Sequence, residues 1–406
     1  MTVLVHRPTR STLPVAEPEP ETLAAPPPVV SEAGGFPLQF LLPMVGAMSS
    51  VIMMVVMRNG QPLFLLIAGV IFVLALVAGL GFALSSRGRK AAEQAAQRTR
   101  YLDYLERLRR DLQGRSDEVR DAASLLHPDP DALLSLVRDP ERLWERRRRD
   151  DDFLTARIGV GDLPWFRLTV PPAESPVQPQ DPYLLAEATT VTDRFGTVPG
   201  MPVTAALRNA HRIAIIGDRE PAVALVRALV GQLAAVHSPD DLQLALAAAL
   251  ERMPDWRGFD LLPHTQDAEL FDGPVPARRV AESMAALGQV LGQTLTDRLQ
   301  QAHTSRRTGT TGSAPPRLLV VADEHGAQAS GVPGGQSAAE LGVTLLHLLA
   351  DRLDEPDDVD ARITLGEDSA TLEVAPGTPA ATTVTFTPDA LSEPGFSGLA
   401  RGLAAL

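Results

Sequence analysis

The stretch Arg212–Ala224, which reads RIAIIGDREPAVA, decides how the rest of the sequence is interpreted. Its first five residues are apolar apart from Arg212 and predict a buried strand. Gly217 predicts a tight turn, and the alanine-rich sequence Pro221–His237 predicts a helix. Strand, glycine turn and helix in this order are the layout of a phosphate-binding loop in a nucleotide-binding α/β domain.

The residues that would bind phosphate are absent from this layout. A working loop has the pattern G-x-x-x-x-G-K-[ST], in which backbone amides surround the phosphates, the lysine reaches the terminal ones and the hydroxyl binds Mg²⁺. With Gly217 as the first glycine, the second glycine, the lysine and the hydroxyl residue are replaced by Ala222, Val223 and Ala224. The sequence therefore predicts a degenerate, non-functional nucleotide site.

The surrounding charges point the same way. Asp218 and Glu220 would place negative charge where the phosphates should lie. The single lysine of the chain is Lys90, far upstream of this stretch, so no lysine in the domain substitutes for the missing one. This part of the chain is therefore predicted not to be catalytic and to hold no cofactor.

A second motif fits the same kind of site better. The apolar run that begins at Leu318 ends in Asp323 and Glu324, as a Walker B strand does. In an active ATPase the aspartate holds Mg²⁺ and the glutamate orients the attacking water. Acids also end many ordinary strands, so a purely structural role stays open. No histidine shows metal-ligand spacing, so no metal site is predicted.

The sequence around these motifs alternates between strand-like and helix-like segments. That alternation predicts a three-layer α/β domain with a largely parallel sheet over residues 183–390. The predicted strands are Met201–Leu207, Arg212–Ile216, Leu242–Ala248, Arg317–Val321, Ala361–Leu365 and Thr371–Val374, and the predicted helices are Pro221–His237, Pro276–Ala302 and Ala338–Leu353.

Two uncharged stretches near the N-terminus predict a transmembrane hairpin over residues 36–84. Phe36–Met57 and Leu63–Leu84 have 22 residues each, and at 1.5 Å per residue each crosses a hydrocarbon core of roughly 30 Å. Basic residues follow the second stretch, whereas the connection offers only Arg58. This bias predicts both termini on the cytoplasmic side of a bacterial cell membrane.

The flanking regions are assigned as follows: an extended arm at residues 1–35, a stalk helix at 85–126, a linker element of helices and strands at 127–182, and the start of a further linker at 391–406. Apolar residues of the stalk recur at heptad spacing, which predicts pairing either with a partner or with the chain's own domain. The run Arg146–Arg149 meets Asp150–Asp152 and predicts a solvated charged face, with a dedicated docking site as the alternative.

Charge and composition exclude several classes of function. The chain contains no cysteine, so disulfides and thiolate chemistry are excluded. Its formal charge is −13, and residues 151–406 alone have 18 basic against 33 acidic residues, a balance of −15. A nucleic-acid channel needs a cationic face, so this domain is not predicted to bind nucleic acid.

Several segments of the chain together form a recognisable pattern. They are the hairpin, the stalk, His127–Pro130, Arg142–Arg146, Asp152–Gly161 and Leu262–His264. In this combination they resemble the N-terminal part of EccC, the membrane-bound motor of type VII (ESX) secretion. The resemblance covers nearly the whole chain, and its most specific piece runs from Leu143 to Gly161.

The resemblance implies a particular organisation. EccC proteins have a membrane hairpin, a stalk, a degenerate nucleotide-fold domain and then FtsK/SpoIIIE-like ATPase modules that use ATP and Mg²⁺. Those modules would follow Leu406, and they would also carry the pocket for WXG100-type substrates. The resemblance further implies membrane partners of the EccB, EccD and EccE types in an oligomeric complex, with a hexamer left open.

Two alternatives stay open at this point. The domain could hydrolyse nucleotide weakly through Asp323 and Glu324 with an arginine supplied by another chain. It could instead belong to a membrane-anchored DNA translocase of the FtsK type, although the acidic balance of residues 151–406 opposes that interpretation.

Overall fold

The computed structural model describes residues 7–10, 12, 15–29, 46, 48–49, 52–53, 62–173, 179–308, 315–333, 335 and 337–405. The chain forms two compact units. The sheet unit comprises Met1–Glu17, Ser116–Trp165 and Thr197–Leu406, and the helix unit comprises Pro18–Arg115 and Phe166–Gly196.

Helices and strands alternate over most of the described chain. The α-helices are α1 (Pro62–Leu126), α2 (Leu133–Val137), α3 (Pro182–Phe195), α4 (Arg219–Val236), α5 (Met284–Val290), α6 (Gly292–Thr308), α7 (Ala338–Leu341) and α8 (Glu393–Ala404). The strands are β1 (Glu21–Thr22), β2 (Thr155–Pro164), β3 (Leu168–Thr169), β4 (Thr197–Ala206), β5 (Arg212–Ile216), β6 (Leu242–Ala248), β7 (Gln266–Asp272), β8 (Val275–Arg278), β9 (Val280–Ala281), β10 (Arg317–Asp323), β11 (Val343–Leu349), β12 (Ala361–Leu365), β13 (Ala370–Val374) and β14 (Thr382–Pro388).

In the helix unit, the heptad face of α1 is covered by residues of the same chain. Tyr101 and Leu105 are buried, and the Tyr101 hydroxyl donates to the carbonyl of Ala24 at 2.9 Å. Arg109 forms an ion pair of 2.8 Å with Glu187 on α3. Of the two pairings predicted for the stalk, the structure therefore shows the one with its own chain.

The predicted transmembrane hairpin falls largely outside the described residues. Most of Phe36–Met57 and most side chains of Leu63–Leu84 belong to that part, although the backbone of α1 is helical through the second stretch. Within the part of the chain that the structure describes, no helix combines the length and the apolar composition of a membrane span. The hairpin therefore gains no support here and stays a prediction.

The sheet unit is built on one mixed sheet of ten strands in the order β4-β2-β14-β13-β12-β5-β11-β10-β6-β9. In this order, all pairings from β4 as far as β12 are antiparallel. All pairings from β12 onward to β9 are parallel. The prediction of an α/β fold is confirmed in this mixed form. The predicted largely parallel sheet corresponds only to the part of the sheet from β12 to β9.

Helices cover both faces of the sheet's parallel part. Leu319 and Val321 of β10 join the core that contains α4 and α8, while Leu318 and Val320 join the core that contains α5, α6 and α7. Successive strand residues point to opposite faces, so a strand buried on both sides has no polar face. This explains the continuous apolar runs in the sequence.

Two helix predictions were wrong because apolar runs were assigned the wrong period. Ala338–Leu353 is a helix only as far as Leu341, since Gly342 takes a left-handed φ of +64° and the chain continues as β11. The predicted helix Pro276–Ala302 starts instead as the strands β8 and β9. A short apolar run alone does not distinguish a buried strand from a buried helix.

The structure also places two flanking segments differently from the sequence assignment. β2 falls within residues 127–182, yet it lies between β4 and β14 in the main sheet. β2 continues through Gly161 to Pro164, with a shift of register between Gly161 and Leu163. α8 falls within residues 391–406 and packs on α4 through buried Phe396 and Leu399.

Candidate nucleotide-site remnant

The first half of the candidate site is the connection between β5 and α4. β5 has the predicted bounds, but α4 begins at Arg219, so only Gly217 and Asp218 separate strand from helix. Gly217 has a φ of +143°, and a Cβ there would lie 2.9 Å from Leu365. A two-residue turn is too short to wrap backbone amides around a phosphate group, as a phosphate-binding loop does.

The three substituted positions lie on the helix and not in a loop. Ala222 and Val223 are buried in the main core, at 0% and 2% exposure. Ala224 is partly buried, and its carbonyl accepts a hydrogen bond of 3.0 Å from the Leu391 amide. A lysine at position 223 would therefore point into apolar packing and away from solvent.

The second half of the site, Asp323, is occupied by protein cations. Its side chain is fully buried, and one carboxylate oxygen accepts from Arg219 at 2.7 Å and from the indole of Trp256 at 3.0 Å. The other oxygen accepts from Arg252 at 3.2 Å. Asp323 therefore has no free oxygen with which to hold a metal ion through water.

Arg219 also bridges to a second acid, Asp255, at 2.5 Å. Although partial burial opposes its ionisation, the hydrogen bonds that Arg219 donates to Asp323 and Asp255 hold its pKa above the usual value. Two arginines and two aspartates thus form a neutral cluster. Arg219 stands in the first turn of α4 and provides the positive charge that an incoming Mg²⁺ would otherwise bring.

Glu324 is engaged in a separate set of contacts. Its oxygens accept from the Ser330 amide at 2.9 Å and from Nδ1 of His347 at 2.8 Å. Burial alone would raise the pKa of Glu324, but the hydrogen bonds from His347 and Ser330 outweigh it and lower that pKa. The carboxylate is held ionised by the protein and is not directed at a water molecule.

One contact ties the two halves together. Nε2 of His325 donates to the carbonyl of Gly217 at 2.9 Å, across β11, which separates β5 from β10 in the sheet. The structure therefore brings Gly217 close to the loop that contains Glu324 and His325. It places Ala222 and Val223 in the core and not at this site.

Sequence reasoning missed the cations that fill the site. Arg252 and Trp256 lie in the segment after β6, and β6 is the parallel neighbour of β10. Loops that follow adjacent parallel strands meet at one edge of the sheet, so this contact follows from the strand order that the structure shows. Arg219 lies between Asp218 and Glu220, and the net charge of these three residues is negative. Among the described residues, no group of three acids or histidines could hold a metal ion.

Comparison with known proteins finds sequence relatives among EccC proteins, including the following two. The chain is 34% identical over 301 residues to the ESX secretion system protein EccC of Thermomonospora curvata, which covers 73% of this chain and 23% of that protein. It is 31% identical over 280 residues to the ESX-4 secretion system protein EccC4 of Mycobacterium tuberculosis, which covers 68% and 22%. The chain spans less than a quarter of the length of these relatives. No protein-family model matches it.

A solved structure shows a weaker likeness. The cytoplasmic domain of the Thermomonospora curvata type VII secretion ATPase EccC aligns with 69% of this chain and 34% of its own, at 16% identity and a TM-score of 0.42. A likeness this low carries no argument about the site.

Proposed function

The chain belongs with the EccC-type proteins of ESX (type VII) secretion systems, and we propose that it forms a non-catalytic, membrane-anchored part of the secretion motor. In this proposal the sheet unit couples to ATPase modules and does not itself turn over nucleotide. ATP and Mg²⁺ bind in those modules, which also recognise WXG100-type substrates.

The observation that carries the proposal is the occupation of Asp323. Its side chain is fully buried, and its two oxygens accept hydrogen bonds from Arg219, Arg252 and Trp256. Breaking such a buried pair costs about 3–5 kcal/mol, which a weakly held Mg²⁺ would have to offset before any nucleotide is bound. The short turn after Gly217 supports the same conclusion, since it offers no cradle for phosphate.

The membrane role rests on the sequence. Two uncharged stretches of 22 residues, followed by a basic cluster, support a multi-pass hairpin in the bacterial cell membrane with both termini cytoplasmic. The hairpin would contact membrane subunits of the EccB, EccD and EccE types in an oligomeric complex. The acidic balance of residues 151–406 argues against a nucleic-acid partner.

Calorimetry on the full chain in detergent tests the non-catalytic role. We expect no heat of binding on titration with Mg²⁺-ATP and no phosphate release. Micromolar Mg²⁺-dependent binding with turnover would contradict the proposal. If that turnover were lost in Glu324→Gln, the weak-hydrolysis alternative would replace it.

Affinity purification from membranes tests the partners. We expect the tagged chain to remain in the membrane fraction after an alkaline carbonate wash and to co-purify with ESX membrane subunits identified by mass spectrometry. A chain lacking residues 36–84 is the control and should lose both properties. Binding to duplex DNA in a gel shift at physiological salt would instead favour a DNA translocase.

A further inference from the structure

Near the N-terminus, residues 7–10 and 12 lie in a groove of the sheet unit. We call this segment the arm and the surface beneath it the arm groove; the groove is formed by the carboxylates of Glu145, Asp150, Asp152 and Asp241 and the carbonyls of Trp144 and Arg146. Residues 7–10 and 12 of the arm are described. The arm reaches the groove through two arginines, three residues apart.

Every nitrogen of the Arg7 guanidinium has an acceptor in the groove. Nε donates to the carbonyl of Trp144 at 3.0 Å, Nη2 to the carbonyl of Arg146 at 2.9 Å and Nη1 to Asp241 at 2.9 Å. In return, Arg147 donates to the carbonyl of Pro8 at 2.8 Å. A planar fork with three fixed donors matches this arrangement, whereas a lysine ammonium would not.

Arg10 makes the more buried contact. Its two terminal nitrogens donate to the two oxygens of Asp152 at 2.7 and 2.6 Å, which is a bidentate pair. Nε donates to the Thr12 hydroxyl at 3.1 Å, and that hydroxyl donates to Glu145 at 2.7 Å. The Arg10 side chain is only 11% exposed, so the guanidinium is sequestered from water.

Contacts that do not involve the arm hold the groove in shape. The amides of Trp144 and Arg146 donate to the carbonyls of Ala235 and Val236 at the end of α4, both at 2.9 Å. Their own carbonyls are thereby turned toward Arg7. Asp152 lies 3.2 Å from Nε of Arg146, whose side chain is fully buried.

Arg146 itself is anchored below the groove. Its Nη2 donates to the carbonyl of Leu126 at 2.8 Å and to Nδ1 of His127 at 3.1 Å. The expectation of a solvated face for the run Arg146–Arg149 was therefore wrong at Arg146. This residue is buried beneath the groove, and its side-chain contacts with Leu126, His127 and Asp152 do not involve the arm.

From this geometry we propose that the arm groove is a recognition site for an extended Arg-x-x-Arg-x-Thr segment. The chain's own residues 7–12 are its resident ligand. Specificity comes from the two guanidinium forks, since each meets acceptors fixed by the rest of the sheet unit. The arm contacts the groove only through hydrogen bonds and ion pairs. The same segment, supplied as a separate peptide, therefore binds to the groove once the resident arginines are removed.

The test uses the full chain carrying Arg7→Ala and Arg10→Ala, which empties the groove without shortening the chain. The probe is a fluorescein-labelled peptide of residues 5–14, VHRPTRSTLP. Fluorescence anisotropy should show saturable binding to this variant and at least tenfold weaker binding to the wild-type chain, whose groove is occupied. Equal binding to both proteins would overturn the proposal, as would no binding to the variant.

A matched peptide separates fork recognition from simple charge attraction. In that peptide lysines replace both arginines, so the charge is unchanged while the bidentate geometry is lost. We expect at least tenfold weaker binding, and equal affinity would refute the proposed specificity. Hydrogen exchange gives a second measurement: amides of residues 144–152 should exchange faster in the variant and slow again when the arginine peptide is added. No change in their exchange on addition of the peptide would place its binding elsewhere and overturn the proposal.

Discussion

At the scale of single residues, Asp323 shows how an acidic position of a nucleotide site becomes a structural one. A carboxylate that would hold a hydrated metal ion in an active enzyme receives donors from Arg219, Arg252 and Trp256 instead. The positive charge is now supplied by the fold, so the acid contributes to stability whether or not any ligand is present.

Asp323→Asn is therefore expected to lower the free energy of unfolding by about 3 kcal/mol, because it removes the buried carboxylate that both Arg219 and Arg252 contact. Chemical denaturation followed by circular dichroism measures the change. Asp255→Asn is the control. That side chain is 45% exposed, so water replaces much of the lost pair and the change should stay below about 1 kcal/mol. Equal effects of the two substitutions would show that Asp323 has no special structural weight.

At the scale of elements, the start of α4 decides whether a phosphate site could be rebuilt. The helix begins two residues after β5, and its first turn buries Ala222 and Val223 in the core. Replacing residues cannot lengthen that turn. The defect is in the backbone as much as in the side chains.

The triple substitution Ala222→Gly, Val223→Lys and Ala224→Thr restores the missing sequence pattern, and we expect it to fail. Burying an unpaired ammonium is costly, so stability should drop by about 3 kcal/mol or more and no Mg²⁺-ATP binding should appear in calorimetry. Glu220→Lys, on the exposed side of the same turn, adds a lysine without entering the core and should change stability by less than about 1 kcal/mol. Nucleotide binding by the triple variant would show that only the side chains were missing.

Elements also show what the sequence could and could not predict. β5, β6 and β12 have the predicted bounds, because their apolar runs are short and bounded by polar or glycine residues. β11 was mistaken for the end of a helix. It is the strand that separates the two halves of the candidate site, so its position could not be derived from periodicity.

The same limit applies to the site itself. Loss of the phosphate-binding side chains was visible in Ala222–Ala224, since chemistry depends on residue type. The contacts of Arg219 and Arg252 with Asp323 were not visible in the sequence, because they depend on which loops the sheet brings to one edge. Long-range contacts of this kind need the strand order, and the sequence does not state it.

At the scale of the whole molecule, three buried histidines couple the stability of the sheet unit to pH. Burial and the nearby charge of Arg146 lower the pKa of His127 and of His237 to about 3, and burial lowers that of His264 to about 4. Nε2 of His237 accepts from the Leu154 amide at 3.0 Å, a contact that requires the neutral ring.

Since these folded-state pKa values lie below the ordinary 6.5, the unfolded chain binds more protons between pH 6.5 and about 3. The stability that the neutral histidines provide is complete above pH 6.5 and is lost as the pH falls below it. At pH 5 each histidine lowers the free energy of unfolding by up to about 2 kcal/mol relative to pH 7. Melting temperatures measured between pH 7.5 and 4.5 should fall steeply below pH 6.5. His264→Asn should flatten that fall, while the same substitution at the exposed His303 should leave it unchanged. A flat profile in the wild type would contradict this account.

The pairing of β2 with β14 has a consequence for synthesis of the chain. Val160 pairs with Thr387, and Gly159 pairs with Pro388 at a spacing that leaves no room for a Cβ. A ribosome needs roughly 10–50 s to add the intervening residues. During that time one edge of β2 has no neighbour, and the apolar strands made in between wait for a sheet that is still incomplete. The edge of β2 that pairs with β14 can therefore be covered only after Pro388 has been synthesised.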